Sequence, residues 1–285
     1  MKKLIVITGQ TATGKTSLAV RYAEKLNGEL INCDSRQIYK KLDIVTGKDR
    51  SIIKKIPIWL YDVADPKEYF SSYQYAQKAE RAIKDVVKKG KTPIIVGGTY
   101  FYLKHLLYGI DTHGEPDWKL RKKLDFKSAG ELQKMLVSLN PESFKLMNES
   151  DRKNPRRLMR KIELAHSKKT VKKVREKSLI DKYKVEIIGL RFKKEEQLRK
   201  QVVKRVKERL KDGAVEEVKK LLKDGYSEQD PGLKTIGYKQ LIPFVKGKIS
   251  KEKAMEAWIV NETQYAKHQY VFMKKDENIK WKTID

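Results

Sequence analysis

Hydrophobic and polar residues follow two spacings along this chain, and each spacing predicts one type of secondary structure. Lys3–Thr8 is a short apolar run rich in β-branched residues, which is typical of a strand buried on both faces. Three further runs have strand character, the last of them weakly: 29–33, 92–96 and 56–63. Apolar residues at helical spacing predict helices between these strands, over 17–26, 73–89 and 100–108. The alternation predicts an α/β fold with a parallel sheet flanked by helices.

The pattern changes after residue 109, where two glycines and a proline interrupt regular structure. Trp118–Tyr183 shows helical spacing without a convincing strand, whereas 185–190 regains strand character. After this last expected strand, the rest of the chain has helical spacing. We therefore predict a core made of 1–114 and 184–285, interrupted by an α-helical insertion domain over 115–183.

The charge of the chain is strongly unbalanced. Its 285 residues include 65 Lys and Arg against 37 Asp and Glu, a formal net charge of +28, while 39% of the residues are hydrophobic. The hydrophobic share is sufficient for an ordinary core and excludes global disorder. Such an excess of positive charge favours a polyanionic partner, nucleic acid before an anionic membrane. A heat-adapted surface is the alternative, but it would add Lys and Glu together.

Cysteine, histidine and apolar content restrict the chemistry further. The single cysteine, Cys33, excludes an intrachain disulfide and a cysteine-based zinc site, and the four histidines lack metal-ligand spacing. No apolar run approaches the roughly 18 residues that span a bilayer, and Leu4–Ile7 is too short for a secretory signal. We expect a cytoplasmic protein with no membrane partner.

A glycine-rich loop lies between the first predicted strand and the first predicted helix. It fits the pattern G-x-x-x-x-G-K-[ST] at every fixed position and consists of Gly9, Gln10, Thr11, Ala12, Thr13, Gly14, Lys15 and Thr16. In such a loop, amide groups point at phosphate oxygens, the lysine reaches the outer phosphate, and the Thr16 hydroxyl ligates Mg²⁺. We therefore predict a P-loop-type core that binds a di- or triphosphate, although a tight turn with a solvated lysine would fit the same residues.

Two further loops carry chemically suitable side chains. Asp34 follows the second predicted strand, and Thr99 follows a later one. Because ligands of parallel sheets bind at the carboxyl ends of the strands, we expect both side chains near the phosphate loop. Asp34 could ligate Mg²⁺, act as a general base or cap a helix. The hydroxyl of Ser35, the cation of Arg36 and the amide of Gln37 favour a functional role.

Six motifs occur in order along nearly the whole chain, and together they resemble those of the bacterial tRNA dimethylallyltransferases. They are Gly9–Thr16, Asp34–Gln37, Gly97–Tyr100, Asn154–Arg157, Thr235–Gln240 and Thr263–Gln269. The resemblance implies transfer of a dimethylallyl group from dimethylallyl diphosphate to the exocyclic amine of the adenosine just 3′ of the anticodon, with Mg²⁺ as cofactor. It also implies a P-loop-type core with a helical insertion, and we expect the monomer to be the working unit.

The resemblance also implies roles for individual residues. Asp34 would take the proton of the adenine amine as a general base, and Lys15 and Thr99 would act at the reacting centre. The diphosphate would be held by the glycine-rich loop together with Arg205. The residues implied in tRNA binding are Asp34, Ser35, Arg36, Gln37, Thr99, Arg121, Arg156, Arg157, Leu158, Met159 and Arg160.

A basic segment favours RNA as the partner. Residues 152–175 contain 11 Lys or Arg and one acid, Glu163, a net charge of +10. A solvated helix face is the usual explanation of such a run, but the imbalance of the whole chain and the Asn154–Arg157 motif favour RNA bound there. The resemblance implies that this RNA is an anticodon stem-loop. Because the target adenine is stacked in that loop, it must be flipped out, and Gln37 is a candidate to read its edge.

Three other functions are compatible with parts of the sequence. A small-molecule P-loop kinase would use Lys15 on ATP and Asp34 to activate a hydroxyl, but it leaves the basic insertion unexplained. An adenylate prenyltransferase would carry out the same chemistry on a free nucleotide. A non-catalytic RNA-binding protein would retain the glycine-rich loop for its structure alone.

Overall fold

The computed structural model describes residues 1–53, 55–109, 116–166 and 178–284. The strands in these ranges are β1 (Lys3–Gly9), β2 (Gly28–Asn32), β3 (Ile58–Trp59), β4 (Thr92–Val96), β5 (Lys184–Phe192) and β6 (Ile279–Ile284). The helices are α1 (Lys15–Leu26), α2 (Arg50–Ile53), α3 (Ser72–Lys88), α4 (Tyr100–Tyr108), α5 (Trp118–Leu124), α6 (Ala129–Leu139), α7 (Pro141–Lys145), α8 (Glu149–Arg152), α9 (Pro155–His166), α10 (Leu179–Lys182), α11 (Glu195–Lys211), α12 (Ala214–Lys223), α13 (Tyr238–Val245) and α14 (Lys251–Met273). None of the helices in these ranges has the length and apolar character needed to cross a membrane.

The strands of the described residues form one parallel sheet of order β3-β2-β4-β1-β5-β6. β1 lies inside the sheet and pairs with β4 and β5, with Ile5 opposite Ile94 and Ile7 opposite Ile188. Strands in the interior of a parallel sheet are buried on both faces, which is why their sequences are continuous apolar runs. Because every strand runs in the same direction, the carboxyl ends of β1, β2 and β4 lie side by side.

Helices cover both faces of the sheet, and successive residues of each strand point to opposite faces. On one face, Ile5 packs in a cluster with Ala19 of α1. On the other face, Val6 packs in a cluster with Ile83 of α3 and Leu103 of α4. Each fully buried aliphatic side chain contributes about 1.5–3 kcal/mol of hydrophobic stabilisation, so the sheet is a stable base for the loops at its edge.

The helices after β5 form a further apolar layer. Trp258 of α14, Tyr238 of α13 and Val202 of α11 are buried together in one cluster. The helix α14 is capped by Ser250, whose hydroxyl accepts a hydrogen bond from the amide of Lys253 at 3.3 Å. This layer holds α11 and α14, which supply charged side chains to the site described below.

Residue contacts divide the chain into two units, Met1–Ile110 with Lys177–Asp285, and Asp111–Glu176. The second unit is helical in its described residues and has an apolar core of its own, which includes Leu124, Leu132, Leu136, Leu158 and Ile162. The sheet and the helices packed on it belong to the first unit.

The end of the helical insertion differs from the prediction of 115–183. The predicted start falls on residues outside the described ranges, but the predicted end is too late. The helix α10 packs on α4 and β5, and Leu179 is 3% exposed within the apolar cluster of the sheet. Residues 178–183 therefore belong to the first unit, because their apolar side chains are buried there.

The predicted strands are confirmed with two corrections. The weak candidate 56–63 forms a strand only over Ile58–Trp59, since Leu60 and Asp62 adopt left-handed φ angles of 67° and 59° that end the extended conformation. The strand β6 was not predicted, and it pairs with β5 beyond the last expected strand. Its sequence alternates apolar and polar residues, as suits a short strand at a sheet edge.

Candidate active site

The glycine-rich loop lies where the carboxyl ends of β1, β2 and β4 meet at one edge of the sheet. Gly9 ends β1 with a φ of 123°, and a Cβ at this position would lie 2.1 Å from the Leu190 carbonyl oxygen, so only glycine fits. Gly14 has a φ of 75° and immediately precedes α1. The N-terminal end of α1, which carries a positive partial charge, therefore begins at this loop.

The first two variable residues of the loop are bonded to the protein. The amide of Gln10 donates to the Leu190 carbonyl at 3.0 Å, and the amide of Thr11 donates to Oε1 of Gln269 at 2.8 Å. Both side chains are buried, and Gln10 Oε1 accepts a hydrogen bond from the amide of Phe192 at 2.9 Å. These two amide groups are therefore not available to a phosphate, contrary to the expectation for the loop.

Lys15 folds back over the loop. Its ammonium donates to the carbonyl oxygen of Gln10 at 2.5 Å. Burial first, and the positive charge of Arg205 second, lower the pKa of Lys15 to about 7. The carboxylates of Asp34 and Glu262 partly oppose this decrease in pKa, so both lie within electrostatic reach of the ammonium group. A bound anion would favour the charged form of Lys15.

Asp34 and Thr99 lie on neighbouring strand ends, as the parallel sheet predicts. The amide of Ser35 donates to Oγ1 of Thr99 at 2.9 Å, and that hydroxyl donates to Oγ of Ser35 at 3.2 Å. One carboxylate oxygen of Asp34 accepts a hydrogen bond from the amide of Arg36 at 2.9 Å, which forms an Asx turn. The Asp34 side chain is 16% exposed, so it is held in place but still accessible.

The side-chain amide group of Gln37 is hydrogen-bonded within the protein. Its Nε2 donates to the carbonyl oxygens of Thr46 and Gly47, at 3.2 and 2.9 Å. An amide group has two donor hydrogens, and both have partners here. The prediction that Gln37 reads a base edge is therefore corrected, since its amide hydrogens are already bonded and only its carbonyl oxygen remains for such a contact.

Arg36 was predicted to contact tRNA, but its side chain lies in a buried ion pair. Nη1 donates to both carboxylate oxygens of Glu262, at 3.0 and 3.3 Å, and Nη2 donates to one of them at 3.3 Å. The guanidinium carbon lies 4.6 Å from the centre of the Tyr265 ring, a cation–π contact. Arg36 is 7% exposed and Glu262 is 1% exposed, so the guanidinium is not on the surface where RNA could bind it.

Two arginines of α11 lie next to this pair. Nη1 of Arg205 donates to Oγ1 of Thr11 at 3.1 Å, and Nη2 of Arg209 donates to the Thr46 carbonyl at 3.2 Å. Burial lowers the pKa of both side chains, that of Arg209 to about 9. Nη1 of Arg209 is buried and has no hydrogen-bond partner among the described residues. A buried cation that is incompletely paired favours the binding of an anion nearby.

The ionised groups of this site do not balance. Burial alone would raise the pKa of the Glu262 carboxyl, but the positive charges of Arg36, Arg209 and Arg205 outweigh this effect and lower the pKa to about 2. The groups that interact here are the cations Lys15, Arg36, Arg205 and Arg209 and the carboxylates Asp34 and Glu262. With Lys15 protonated, the cations exceed the carboxylates by two charges. In surroundings of low dielectric constant, such an excess attracts a compact polyvalent anion such as a diphosphate.

The residues present fit Mg²⁺ only in company with a phosphate ligand. Among the described residues, no group of three or more His, Cys, Asp or Glu is arranged to hold a metal ion. Mg²⁺ does not require such a cage, because it keeps several waters and binds one or two protein oxygens together with substrate phosphates. The half-buried hydroxyl of Thr16, in the first turn of α1, is a donor of this kind.

The second unit contains the other residues implied in tRNA binding, and they differ in exposure. Nε of Arg121 and Nη1 of Arg160 both donate to Glu163, at 2.5 and 3.0 Å, so their charges are partly compensated. Arg156 and Arg157 are exposed, and Arg157 forms an ion pair with Asp151. Arg156 also lines an open cavity of about 550 Å³ with Lys127, Lys153 and Asn154. The remainder of the basic segment, 167–175, lies outside the described residues.

Leu158 and Met159 lie in the core of the second unit, which corrects the expectation that their side chains bind tRNA. They are 0% and 7% exposed and pack in the apolar cluster of the second unit. Both lie on the buried stripe of α9, whereas Arg156 and Arg157 lie on its exposed side. Their side chains therefore stabilise the unit and do not form an RNA-binding surface.

The residues of this site that the sequence left unassigned are Arg209, Glu262, Tyr265 and Gln269. Three of them lie on α14 at spacings of three and four residues, which places them on one face of the helix. The available signal for Glu262 was an acid among the mostly apolar residues that α14 buries. Its partner could not be read from the pattern, because Arg36 is 226 positions away in the chain.

A glycine-rich loop at parallel strand ends, a buried excess of positive charge and an adjacent carboxylate define a P-loop-type α/β protein with a site for a polyvalent anion. The model of the IPP transferase family matches residues 37–276. This chain therefore belongs to the IPP transferase family, and it is a prenyltransferase.

Individual relatives match nearly the whole chain. The tRNA dimethylallyltransferase of Aquifex aeolicus is 38% identical over 288 residues, which cover 99% of this chain and 92% of the relative. The tRNA dimethylallyltransferase of Staphylococcus epidermidis is 36% identical over 289 residues, which cover 98% of this chain and 86% of the relative.

Solved structures show the same fold. In one crystal structure, that of tRNA delta(2)-isopentenylpyrophosphate transferase from Staphylococcus epidermidis, the protein shares 35% sequence identity with this chain. The two structures match with a TM-score of 0.71, and the match covers 99% of this chain and 93% of that one. A structure of a eukaryotic dimethylallyltransferase acting on tRNA is 25% identical, with a TM-score of 0.78 over 99% of this chain and 74% of that one. The parallel sheet with flanking helices is thus the fold of known transferases of this family.

Proposed function

We propose that this chain transfers a dimethylallyl group from dimethylallyl diphosphate to the exocyclic N6 amine of the adenosine just 3′ of the anticodon in tRNA. The observation that carries the proposal is the location of the Asp34 carboxylate beside a buried excess of positive charge. Membership of the IPP transferase family supports it, as do relatives named tRNA dimethylallyltransferases. The net charge of +28 supports a nucleic acid as the acceptor.

The cations of the site would bind the diphosphate. As the allylic C–O bond breaks, its electron pair leaves with the diphosphate, and Lys15 and Arg205 stabilise the charge that develops there. Both groups are already desolvated, so their interaction with an anion is stronger than it would be in water. Mg²⁺ held by the Thr16 hydroxyl and the phosphate oxygens would supply further neutralisation of that charge.

Asp34 would act on the acceptor. The adenine amine is a poor nucleophile because its lone pair is delocalised into the ring. A carboxylate that takes the amine proton as the new C–N bond forms contributes about 10²–10⁴-fold in rate. The contact with Ser35 places Thr99 beside Asp34, so its hydroxyl is suitably placed to contact substrate near the reacting carbon.

The exposed arginines of the second unit would bind the backbone of the anticodon stem-loop. Arg156 is exposed to phosphates, and Arg157 is exposed but already paired with Asp151. Contacts to phosphates give affinity without reading sequence. The target adenosine must leave its stack to react, which selects an unpaired loop nucleotide over a paired one.

Prenyl transfer to a defined RNA tests the proposal. Labelled dimethylallyl diphosphate, Mg²⁺ and an anticodon stem-loop should give label on the adenosine 3′ of the anticodon, and a stem-loop with guanosine there should remain unlabelled. Free AMP in place of RNA tests an adenylate prenyltransferase and should not react. ATP labelled in its γ-phosphate tests a small-molecule kinase. Phosphoryl transfer without any RNA prenylation would contradict the proposal.

A further inference from the structure

Glu262 lies at the centre of the charged network in the first unit, although no step of the proposed reaction uses it directly. It is one of the most buried charged residues of the described chain, and its carboxylate contacts Arg36 on one side and Thr11 on the other. Burial of a carboxylate is unfavourable unless charges and hydrogen bonds compensate for lost solvation. Its contacts provide that compensation, and they also connect parts of the site that are far apart in sequence.

The first connection runs through Arg36 to the proposed general base. Because Nη1 and Nη2 of Arg36 are bonded to Glu262, its Nε is directed towards Asp34 and lies 3.7 Å from Oδ1. This Nε is buried and makes no hydrogen bond with any described residue. The amide of Arg36 donates to the same Oδ1 at 2.9 Å. Arg36 therefore orients Asp34 with one hydrogen bond and one adjacent positive charge.

The second connection runs through Thr11 to the diphosphate-binding cations. The Thr11 hydroxyl donates to Oε1 of Glu262 at 3.4 Å and accepts from Nη1 of Arg205 at 3.1 Å. The Glu262 carboxylate is thus connected through Arg36 to Asp34, which would receive the proton. Through Thr11 it is connected to Arg205, which would hold the leaving diphosphate.

The helix that carries Glu262 also fixes its neighbours. Three residues further along α14, the Tyr265 ring stacks under the Arg36 guanidinium. Seven residues further along, Gln269 bonds the amide of Thr11 at 2.8 Å and the carbonyl of Gly98 at 2.9 Å. Groups on one face of a rigid helix hold their geometry better than groups on loops. The position of Glu262 relative to the glycine-rich loop is therefore well defined.

We propose that Glu262 is a positioning residue for prenyl transfer, which holds Arg36 beside Asp34 and, through Thr11, Arg205 beside the glycine-rich loop. The inference rests on the proposed function, because the step it serves is proton transfer to Asp34. Its negative charge has a second effect, since it offsets one of the cations and weakens the attraction of the site for anions. The position of the Glu262 carboxylate and its negative charge predict different effects of substitution, and two variants distinguish them.

Glu262→Gln removes the charge, and Glu262→Asp keeps the charge but withdraws the carboxylate by one methylene. Single-turnover prenyl transfer and the Kd for inorganic pyrophosphate are measured for both. In E262Q we expect the rate of prenyl transfer to fall about 10–100-fold, because a catalytic group misplaced by about 1 Å can lower a rate by up to about 10²-fold. We expect pyrophosphate to bind about threefold or more tightly, because one negative charge is removed from the site. In E262D we expect a rate about tenfold lower and pyrophosphate affinity within about twofold of wild type.

Glu256→Gln is the matched control, because Glu256 is exposed on the same helix. It should change neither the rate nor the Kd for pyrophosphate. Circular dichroism melts establish that each variant folds, and if E262Q does not fold, E262D decides the question of position.

Wild-type rates in both E262Q and E262D would overturn the proposal. A proportional loss of rate and of pyrophosphate affinity in E262Q would also overturn it, because a merely structural role weakens both together. If wild-type protein prenylates no stem-loop, the proposed function fails, and pyrophosphate binding alone then judges Glu262. Tighter binding in E262Q supports its place in the network, and unchanged or weaker binding contradicts it.

Discussion

The two units of this protein place positive charge in opposite environments. In the first unit, Arg36 and Arg209 are buried, and each is directed by specific partners, Glu262 or a backbone carbonyl. In the second unit, Arg156 and Arg157 are exposed. Buried charges are weakly screened, whereas charges at the surface lose most of their interaction beyond about 10 Å in 0.1 M salt.

Buried and exposed cations suit different ligands. A diphosphate is small, and a transition state that develops charge on it is stabilised only by donors with fixed directions. An RNA backbone is long and regular, and a surface of mobile cations binds it through charge density. Substitutions in the first unit should therefore change rate or small-anion affinity, and substitutions in the second should change RNA affinity and its dependence on salt.

The largest effect is expected from Asp34→Asn. The amide keeps an oxygen that can accept the hydrogen bond from the Arg36 amide, but it cannot take a proton. Single-turnover prenyl transfer should fall by about 10²–10⁴-fold, with stem-loop affinity changed less than about threefold. A variant with the wild-type rate would exclude Asp34 as the base, and parallel losses of rate and RNA affinity would assign it to RNA binding.

Arg205→Met should weaken pyrophosphate binding about 10–100-fold, because hydrogen bonds to charged groups contribute about 1.5–3 kcal/mol. Lys204→Met is the matched control, since Lys204 precedes Arg205 on α11 but is exposed and pairs only loosely with Glu208 at 3.9 Å. Calorimetric titration with pyrophosphate measures both. Equal effects of the two substitutions would show that general charge, and not the position of Arg205 beside the glycine-rich loop, determines affinity.

Lys15 makes anion binding dependent on pH. Burial lowers the pKa of the free protein's Lys15 to about 7, and a bound anion favours its ammonium form. Below pH 7 the group is already charged, and above pH 7 binding must take up a proton, so affinity falls by up to about tenfold per pH unit. Calorimetry in two buffers of different ionisation enthalpy measures this uptake. Lys15→Met should lack this part of the uptake; identical uptake in both proteins would exclude Lys15 as its source.

The smallest effects are expected in the second unit. Arg156→Ala should weaken stem-loop binding a few-fold and reduce the slope of log K against log salt by about 0.7–0.9. Arg157→Ala should have smaller effects on the affinity and on the slope, because Arg157 is already paired with Asp151. Lys145→Ala is the control, since Lys145 is exposed but paired with Glu142 in the same unit. Salt titrations of a fluorescent stem-loop measure the slopes, and an unchanged slope in Arg156→Ala would remove that side chain from the interface.

The surroundings of Asp34 and Thr99 show which features of a site a sequence pattern can predict. Each follows an apolar run, and the rule that parallel strands end at one edge was enough to predict that they lie close together. The bond between Ser35 and Thr99 agrees with this prediction. Side-chain direction was not predictable in the same way. Arg36 and Gln37 follow Asp34 directly, but their polar ends are bonded inside the protein.

The amino-acid sequence alone determined the strands of the sheet interior, the glycine-rich loop and the helices, because these depend on periodicity and on residues close together in the chain. Which charges are buried depends instead on contacts between residues that are far apart in the chain. Arg36 meets Glu262, and Thr11 meets Gln269, across more than two hundred residues. No local pattern encodes such a meeting, since it depends on how α14 packs against the end of the sheet.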